Sequence, residues 1–161
     1  MLAYANFWTG CIMRAVIQRV SRASVVINSQ LYSAINQGLL VLLGVEKDDS
    51  EKDADYIFEK TINLRIFEDE QGKMNLSLLD VAGELMVVSQ FTLLGDCIKG
   101  RRPSFTRAAE PAAAARLYEY FVSTAAPKVK KMATGIFQET MEIELVNSGP
   151  VTILLDSRKI F

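Results

Sequence analysis

Apolar residues along the chain fall into patterns that predict several strands. Residues 14–27 (RAVIQRVSRASVVI) are rich in valine and isoleucine, as strands are, and the turn signal Asn28-Ser29-Gln30 ends the segment. Residues 38–45 (GLLVLLGV) form a continuous apolar run bounded by glycine, which predicts a buried strand. The same criteria predict strands at residues 84–91, 141–146 and 151–155, and an extended segment at residues 64–67.

Two other segments have the spacing of amphipathic helices. Ser50 followed by Asp53 approximates a capping box, and the apolar positions after it predict a helix over residues 50–62. Pro111 suits the first turn of a second helix. The apolar face of this second helix is predicted to consist of Leu117, Tyr120 and Phe121. Together, the strands and the two helices predict an α+β domain.

Length and composition indicate a single folded domain. The chain has 161 residues, half of them apolar, and its formal net charge of −1 excludes intrinsic disorder. We expect residues 1–12 to be a disordered or peripheral extension, residues 13–157 to be the domain, and residues 158–161 to be a tail.

Hydropathy and cysteine content favour a cytoplasmic protein with no membrane partner. No apolar run approaches the roughly 18 residues that a membrane helix needs. The first twelve residues contain neither Lys nor Arg, so they lack the basic start of a signal peptide. Cys11 and Cys97 are too few for a disulfide scaffold and are expected to be reduced thiols.

The chain contains no histidine. This excludes catalytic triads that use histidine and zinc sites built on histidine, and the two cysteines cannot form a zinc site alone. We therefore expect neither a metal nor a cofactor. Any chemistry must use carboxylates, lysines, hydroxyls, backbone amides or the substrate itself.

A basic segment follows the strand predicted at residues 84–91. Residues 95–101 have the two glycines of a phosphate loop but lack its Lys-Ser/Thr, so this interpretation is rejected. Cys97 is a weak candidate nucleophile, since only Lys99 and Arg101 are near enough in sequence to activate it. Residues 99–107 (KGRRPSFTR) form either a solvated loop or a contact for nucleic-acid phosphates.

Two short motifs carry hydrogen-bonding residues at strand ends. Residues 89–93 read Ser-Gln-Phe-Thr-Leu, and residues 147–152 read Asn-Ser-Gly-Pro-Val-Thr. The first motif is weak evidence alone, because Ser and Thr are common at strand ends. The second is more specific, although a Gly-Pro step between strands is most often a turn. Its peptide bond is expected to be trans on frequency alone, since about 5–6% of X–Pro bonds are cis.

Taken together, these motifs make the chain from residue 13 to about residue 156 resemble the D-aminoacyl-tRNA deacylases, first described as D-tyrosyl-tRNA deacylases. MRAVIQRVSRASV, GLLVLLGVEKDD, KGRRPSF and LVNSGPVT also match the family, in the family's order. Residues 137–141 (FQETM) depart from the expected Gly-Ala pair. We expect this departure to change a turn and to leave the active site unaffected.

The resemblance implies a barrel-like domain of mostly antiparallel sheets, acting as a homodimer on the 3′ end of aminoacyl-tRNA. Such a protein is expected to hydrolyse the ester of D-aminoacyl-tRNA, and of mischarged glycyl-tRNA, for chiral proofreading in translation. Each Gly149-Pro150 step is expected to be cis and to enter the partner's pocket. DNA is not an expected partner.

The resemblance also implies a role for each motif residue. The main-chain carbonyls of Gly149 and Pro150 receive the substrate's α-amino group, and Arg19 braces their loop. The implied oxyanion donors are the N–H groups of Phe91 and Thr92. Ser89 and Gln90 are expected in the catalytic pocket, and Asn147 and Thr152 in the substrate-binding motif. The residues expected to bind tRNA are Lys99, Arg101 and Arg102.

Alternatives remain at two levels. The ribose 2′-hydroxyl of the tRNA can assist hydrolysis, or the Thr92 hydroxyl can act as nucleophile, although no histidine exists to activate it. At the level of function, one rival is a relative that edits L-alanyl-tRNA, whose first motif lacks the Ser and Phe found at positions 89 and 91. The other rival is a noncatalytic module that binds RNA ends.

Overall fold

The structure is a computed structural model, and it describes residues 12–161. Within this range the strands are β1 (Arg14–Ile27), β2 (Gln30–Ile35), β3 (Gly38–Gly44), β4 (Phe67–Glu68), β5 (Met74–Leu76), β6 (Glu84–Ser89), β7 (Met132–Thr134) and β8 (Glu142–Asp156). The helices are α1 (Glu51–Asn63) and α2 (Pro111–Ala125), with short 3₁₀ helices at Phe91–Leu94 and Ala126–Lys128.

Six of the strands form one mixed sheet. Its order is β2-β1-β3-β6-β7, and β8 pairs with β1. All pairs that include β1 are antiparallel, whereas β3/β6 and β6/β7 are parallel. The two ends of this order approach each other, since Ser33 Oγ in β2 donates to the carbonyl oxygen of Thr134 in β7 at 2.6 Å. The predicted α+β, barrel-like architecture with two main helices is confirmed.

Both helices pack on the core as the apolar spacing predicted. At the start of α1 the Ser50 N–H donates to Asp53 Oδ2 at 2.8 Å, as in a capping box. Phe58 of α1 and Phe121 of α2 meet edge to face, with ring centroids 5.9 Å apart. The predicted apolar face is incomplete: Tyr118 is buried as well, whereas Tyr120 is partly buried and packs against the same core.

Tyr118 and Tyr120 differ in burial, but the hydroxyl of each donates a hydrogen bond. Buried Tyr118 donates through its hydroxyl to the Val87 carbonyl at 2.8 Å, and burial raises its pKa to about 12. Tyr120 is only partly buried, and its hydroxyl donates to Asp55 Oδ1 of α1 at 2.8 Å. The polar hydroxyl of each tyrosine therefore has a hydrogen-bond acceptor.

Two predicted strand boundaries are wrong. The strands expected at residues 141–146 and 151–155 are arms of one strand, β8, and both arms pair with β1. The strand expected over residues 84–91 ends at Ser89, because the chain turns there into the 3₁₀ helix. β2 was not predicted from the sequence. It forms a hairpin with β1 through Asn28 and Ser29, both of which have positive φ.

Of the two predicted terminal segments, the C-terminal one and the last residue of the N-terminal one are among the described residues. Residues 1–11 of the expected extension are outside the described residues, whereas Ile12 is buried and its N–H donates to Glu46 Oε2 at 2.6 Å. Arg158 of the expected tail lies 3.6 Å from the same Glu46 oxygen. Among residues 12–161, no helix is long and apolar enough to cross a membrane.

Candidate active site

The segment Ser89–Thr92 lies where the chain leaves the central strand β6. The Gln90 N–H still donates to the Leu43 carbonyl of β3 at 2.8 Å, and the 3₁₀ helix begins at the next residue. Phe91 and Thr92 are therefore the first residues of a helix, whose first N–H groups have no acceptor within it. These two donors are left available for a ligand.

A close approach to β3 fixes this segment. A Cβ added at Gly44 would lie 2.6 Å from Leu94 Cδ2 and 3.0 Å from the Gln90 carbonyl oxygen. Only glycine leaves room for this packing. From the other side, Arg14 Nη1 donates to the Leu93 carbonyl at 2.9 Å. The backbone of the segment is thus held by contacts that do not involve a ligand.

Ser89, Gln90 and Phe91 line a cavity of about 550 Å³. This volume is in the range of small-molecule sites. Its opposite walls come from the start of α2 and from the segment that precedes β8. Gln90 Nε2 donates to Thr92 Oγ1, so the Thr92 hydroxyl is engaged by a side-chain amide that cannot act as a base.

Sequence reasoning missed the wall that precedes β8. Phe137, Gln138, Glu139 and Met141 all line the cavity, although residues 137–141 were expected to lie away from the active site. Met141 sulfur accepts from the Ile136 N–H at 3.3 Å and folds this segment back on itself. The departure of residues 137–141 from the family pattern was the one feature of the sequence that drew attention to this segment.

The motif at residues 147–152 forms a loop within β8. Thr152 pairs with Gln18 and Asn147 pairs with Val20, so residues 148–151 leave the ladder. Asn147 Nδ2 donates to Thr152 Oγ1 at 3.1 Å, and Asn147 Oδ1 accepts from the Val151 N–H at 3.0 Å. Asn147 and Thr152 therefore close the neck of the loop.

At the tip of this loop, the Gly149–Pro150 peptide bond is cis and both residues are exposed. Gly149 has a φ of +122°, a conformation that side chains rarely adopt. A Cβ there would also lie 2.6 Å from Arg19 Nη2. The tip consequently requires glycine on two counts.

Arg19 of β1 is the brace beneath the loop. It is only 7% exposed, and its Nε donates to the Ser148 carbonyl at 3.0 Å. Nη1 donates to the Ile66 carbonyl at 2.6 Å, and Nη2 lies 3.7 Å from Glu68 Oε1. A guanidinium can serve all three acceptors at once because its donors form a rigid planar fork.

The two motifs do not meet within one chain. Neither Gly149 nor Pro150 is among the residues that line the cavity beside Ser89–Phe91. Ser148 of the loop and Arg19 beneath it line a different cavity, of about 290 Å³. The two motifs thus border separate cavities in the described part of the chain.

The basic segment forms a protruding loop beside the first motif. Reciprocal backbone hydrogen bonds between Asp96 and Ser104, of 2.8 and 2.9 Å, close its base. Lys99, Arg101 and Arg102 are exposed at its tip, and within residues 12–161 none of them forms a salt bridge. Cys97 is a free, exposed thiol that does not line the 550 Å³ cavity.

A buried ion pair anchors the far end of this loop. Arg107 donates through Nε to Glu46 Oε1 at 2.5 Å, and Glu46 is only 6% exposed. The Lys47 N–H also donates to the Arg107 carbonyl at 3.0 Å. In the described part of the chain, no cluster of three or more acidic or cysteine side chains could hold a metal ion.

Residues 16–156 match the family model described as D-Tyr-tRNA(Tyr) deacylase. A D-aminoacyl-tRNA deacylase of Syntrophus aciditrophicus is 57% identical over 149 residues, which are 92% of this chain and 100% of the relative. The corresponding protein of Kosmotoga olearia is 60% identical with the same coverage.

Two solved structures are similar over most of the chain. A c-Myc DNA unwinding element binding protein is 39% identical, with a TM-score of 0.84 over 88% of this chain and 97% of that protein. A probable eukaryotic D-amino acid tRNA deacylase shares the fold at 16% identity, with a TM-score of 0.78 over 90% of this chain and 99% of that protein.

Proposed function

The chain belongs to the D-Tyr-tRNA(Tyr) deacylase family and is a hydrolase that acts on D-aminoacyl-tRNA, and we propose that its active site is the cavity at Ser89–Thr92, completed by the Gly149–Pro150 loop of a second copy. The observation that carries this proposal is the Phe91 N–H at the cavity wall, followed by the Thr92 N–H in the same first turn of the 3₁₀ helix. They suit the oxygen that becomes negatively charged when the ester is attacked.

In the proposed chemistry, the Phe91 and Thr92 N–H groups stabilise the tetrahedral oxyanion. An aminoacyl ester is already reactive, so little further activation is required. Removal of one oxyanion donor typically costs about 10²–10³ in rate, so two aimed amides account for much of the effect. Ser89 and Gln90 line the pocket and orient the substrate.

The attacking water is activated by the tRNA in this proposal. The chain has no histidine, and the Thr92 hydroxyl is bonded to the Gln90 amide, which cannot take its proton. The 2′-hydroxyl of the terminal ribose lies next to the ester in any aminoacyl-tRNA and can serve instead. We therefore favour assistance by the RNA over a Thr92 nucleophile.

Selection of D-amino acids is assigned to the Gly149–Pro150 loop. Its carbonyl groups hold the substrate's α-amino group, while the oxyanion donors hold the ester carbonyl. These two contacts fix the remaining two directions at the α-carbon, and an L side chain would point into the loop. A D side chain points away and glycine has none, so glycyl-tRNA is accepted too.

The loop has to come from a partner subunit. It is exposed and does not line the cavity of its own chain. Among the described strands, β8 pairs only with β1, so its other edge is open, and its Val146 and Leu154 are 38% and 49% exposed. A homodimer that covers β8 would bring each loop to the partner's cavity, and sedimentation measures that state directly.

The protruding basic loop is assigned to the acceptor end of tRNA. Lys99, Arg101 and Arg102 are exposed and have no acidic partner among residues 12–161, as suits phosphate-binding side chains. We place the reaction in the cytoplasm, where charged tRNA is used. The relative named for a DNA unwinding element makes duplex DNA the informative competitor in binding experiments.

Deacylation assays with four charged tRNAs test this function. We expect hydrolysis of D-tyrosyl-tRNA and glycyl-tRNA, and no hydrolysis of L-tyrosyl-tRNA. Hydrolysis of L-alanyl-tRNA in preference to D-tyrosyl-tRNA would support the rival editing activity. Binding of tRNA without hydrolysis of any substrate would support a noncatalytic RNA-end-binding module.

A further inference from the structure

We propose that Phe91 and Phe105 form a stacking platform for the nucleotide that precedes the terminal adenosine of the tRNA. This inference rests on the proposed function, because it extends the same site along the RNA. The two rings meet edge to face, with centroids 5.1 Å apart and an interplanar angle of 74°. Phe91 is 56% exposed and Phe105 is 36% exposed.

The pair lies across the rim of the cavity. Phe91 lines the cavity, whereas Phe105 is not among the lining residues. A cavity of about 550 Å³ is in the range that encloses one drug-sized ligand, such as an aminoacylated nucleoside. The next nucleotide must therefore leave the cavity, and beyond Phe91 it meets the ring of Phe105.

Phe105 is held in place before any ligand arrives. A Cβ added at Gly95 would lie 3.0 Å from Phe105 Cε1, so the ring packs directly on the backbone of that glycine. The Ser104 N–H donates to the Asp96 carbonyl at 2.9 Å, and the Ala108 N–H donates to the Phe105 carbonyl at 3.0 Å. A rigid ring loses little entropy when a base stacks on it.

Charges suited to the adjoining phosphates lie on the same loop. Lys99, Arg101 and Arg102 precede Phe105 by at most six residues and are exposed. Exposed rings next to cations are the usual composition of sites for single-stranded nucleic acid. The 3′ end of tRNA is single-stranded, so both parts of the surface have a matching group on the substrate.

Substrates of two lengths separate this platform from the catalytic pocket. One is a D-tyrosyl ester of adenosine, and the other is the same ester of the trinucleotide CpCpA. The wild type should prefer the trinucleotide through a lower KM. Replacement of Phe105 by leucine (F105L) should reduce that preference by about 5- to 100-fold, the usual contribution of one stacked base.

Two further variants control for loss of structure. F105Y keeps a flat ring and should retain the preference, and F161L makes the same substitution at a Phe that is 65% exposed outside the loop. An equal loss by F105L on both substrates, or no loss on either, would overturn the platform while leaving the hydrolase intact. A wild type that hydrolyses D-tyrosyl-tRNA but neither short ester would overturn the platform, because one further base would then not suffice for binding, whereas a wild type inactive on D-tyrosyl-tRNA as well would overturn the proposed function.

A binding measurement gives a readout without turnover. The probe is the trinucleotide with 2-aminopurine in place of the middle base and an amide in place of the ester. Stacking on Phe105 should quench its fluorescence in the wild type and in F105Y, and should quench it much less in F105L. Equal quenching in all three proteins would place the middle base elsewhere and overturn the proposal.

Discussion

Arg19 Nε donates a hydrogen bond of 3.0 Å to the carbonyl oxygen of Ser148, the residue that precedes the Gly-Pro step. Arg19 is itself fixed by the Ile66 carbonyl and lies in β1, the strand that pairs with both arms of β8. The loop that is proposed to select D-amino acids is therefore positioned by the sheet before substrate binds. Such preorganisation is what a selector based on steric exclusion requires.

A side chain at position 149 should disable the loop. In Gly149→Ala the new Cβ would lie 2.6 Å from Arg19 Nη2 and would sit on a backbone with φ of +122°. We expect kcat/KM for D-tyrosyl-tRNA to fall at least about tenfold, because either the loop or Arg19 must move. Single-turnover deacylation measures the loss.

Gly72→Ala is the matched control. Gly72 also has a positive φ, +75°, but a Cβ there meets nothing within 4 Å. Backbone strain alone should cost about 1 kcal/mol of stability and leave activity unchanged. Equal activity of the two variants would show that the packing of Gly149 on Arg19 is irrelevant to function.

Proline at position 91 should remove one oxyanion donor with little change in the backbone. Phe91 is the first residue of its 3₁₀ helix, where proline is tolerated, and Gln90, with φ −142° and ψ 80°, lies outside the α region that a following proline disfavours. We expect kcat for Phe91→Pro to fall by about 10²–10³ relative to Phe91→Leu, which keeps the N–H but also lacks the ring. Equal kcat values for the two variants would exclude the Phe91 amide from the oxyanion site.

Neutralising the tip of the basic loop should weaken binding of tRNA. In the triple variant with alanine at Lys99, Arg101 and Arg102, we expect KM for D-tyrosyl-tRNA to rise more than kcat falls. The slope of the logarithm of the tRNA association constant against the logarithm of salt concentration should become shallower by about 2, since three phosphate contacts to a single strand are lost. Filter binding over a range of salt concentrations measures the slope.

The control for this variant removes the same charge elsewhere. Alanine at the exposed residues Lys52, Lys60 and Lys130 changes the net charge equally. This protein should keep the salt slope of the wild type. A slope that changes equally in both triple variants would indicate a general effect of charge and no contact at the loop.

Stability should depend on pH through Asp49. Burial raises the pKa of Asp49 to about 7, against the lowering effect of the hydrogen bond from the Glu46 N–H, and the negative charge of nearby Asp53 acts in the same direction as burial. Between about pH 4 and pH 7 the folded protein therefore binds more protons than the unfolded chain, so this group lowers stability as pH rises. Asp49→Asn should raise the Tm more at pH 8 than at pH 5.

Asp53→Asn separates this effect from helix capping. Asp53 accepts from the Ser50 N–H at 2.8 Å, so its loss should lower the Tm at both pH values. An Asp49→Asn variant that changes the Tm equally at pH 5 and pH 8 would show that ionisation of Asp49 does not affect stability in this range, and would contradict the prediction.

Local patterns predicted the elements whose cause is local. β1 and β3 followed from their valine, isoleucine and leucine content, and α1 followed from its cap and apolar spacing. β8 was predicted as two strands because Gly-Pro is a turn signal. The structure instead keeps both arms on β1, since side-chain bonds between Asn147 and Thr152 close the loop.

The missed part of the site depends on contacts between distant segments. Phe137 and Met141 line the same cavity as Phe91, which is 46 residues away from Phe137 in sequence. No local periodicity reports such a contact. The two motifs, which the resemblance unites across a subunit boundary, border separate cavities within the chain, and the proposed second copy would unite them.

Mixing two damaged subunits tests the shared site most directly. Gly149→Ala damages the loop, and Phe91→Pro damages the pocket, so each homodimer alone should be nearly inactive on D-tyrosyl-tRNA. After denaturation and refolding as an equal mixture, half of the dimers should be mixed, and each mixed dimer holds one site with an intact pocket and an intact partner loop. The account predicts recovery of about one quarter of the wild-type activity. A mixture no more active than the average of the two parents would contradict a site shared between subunits.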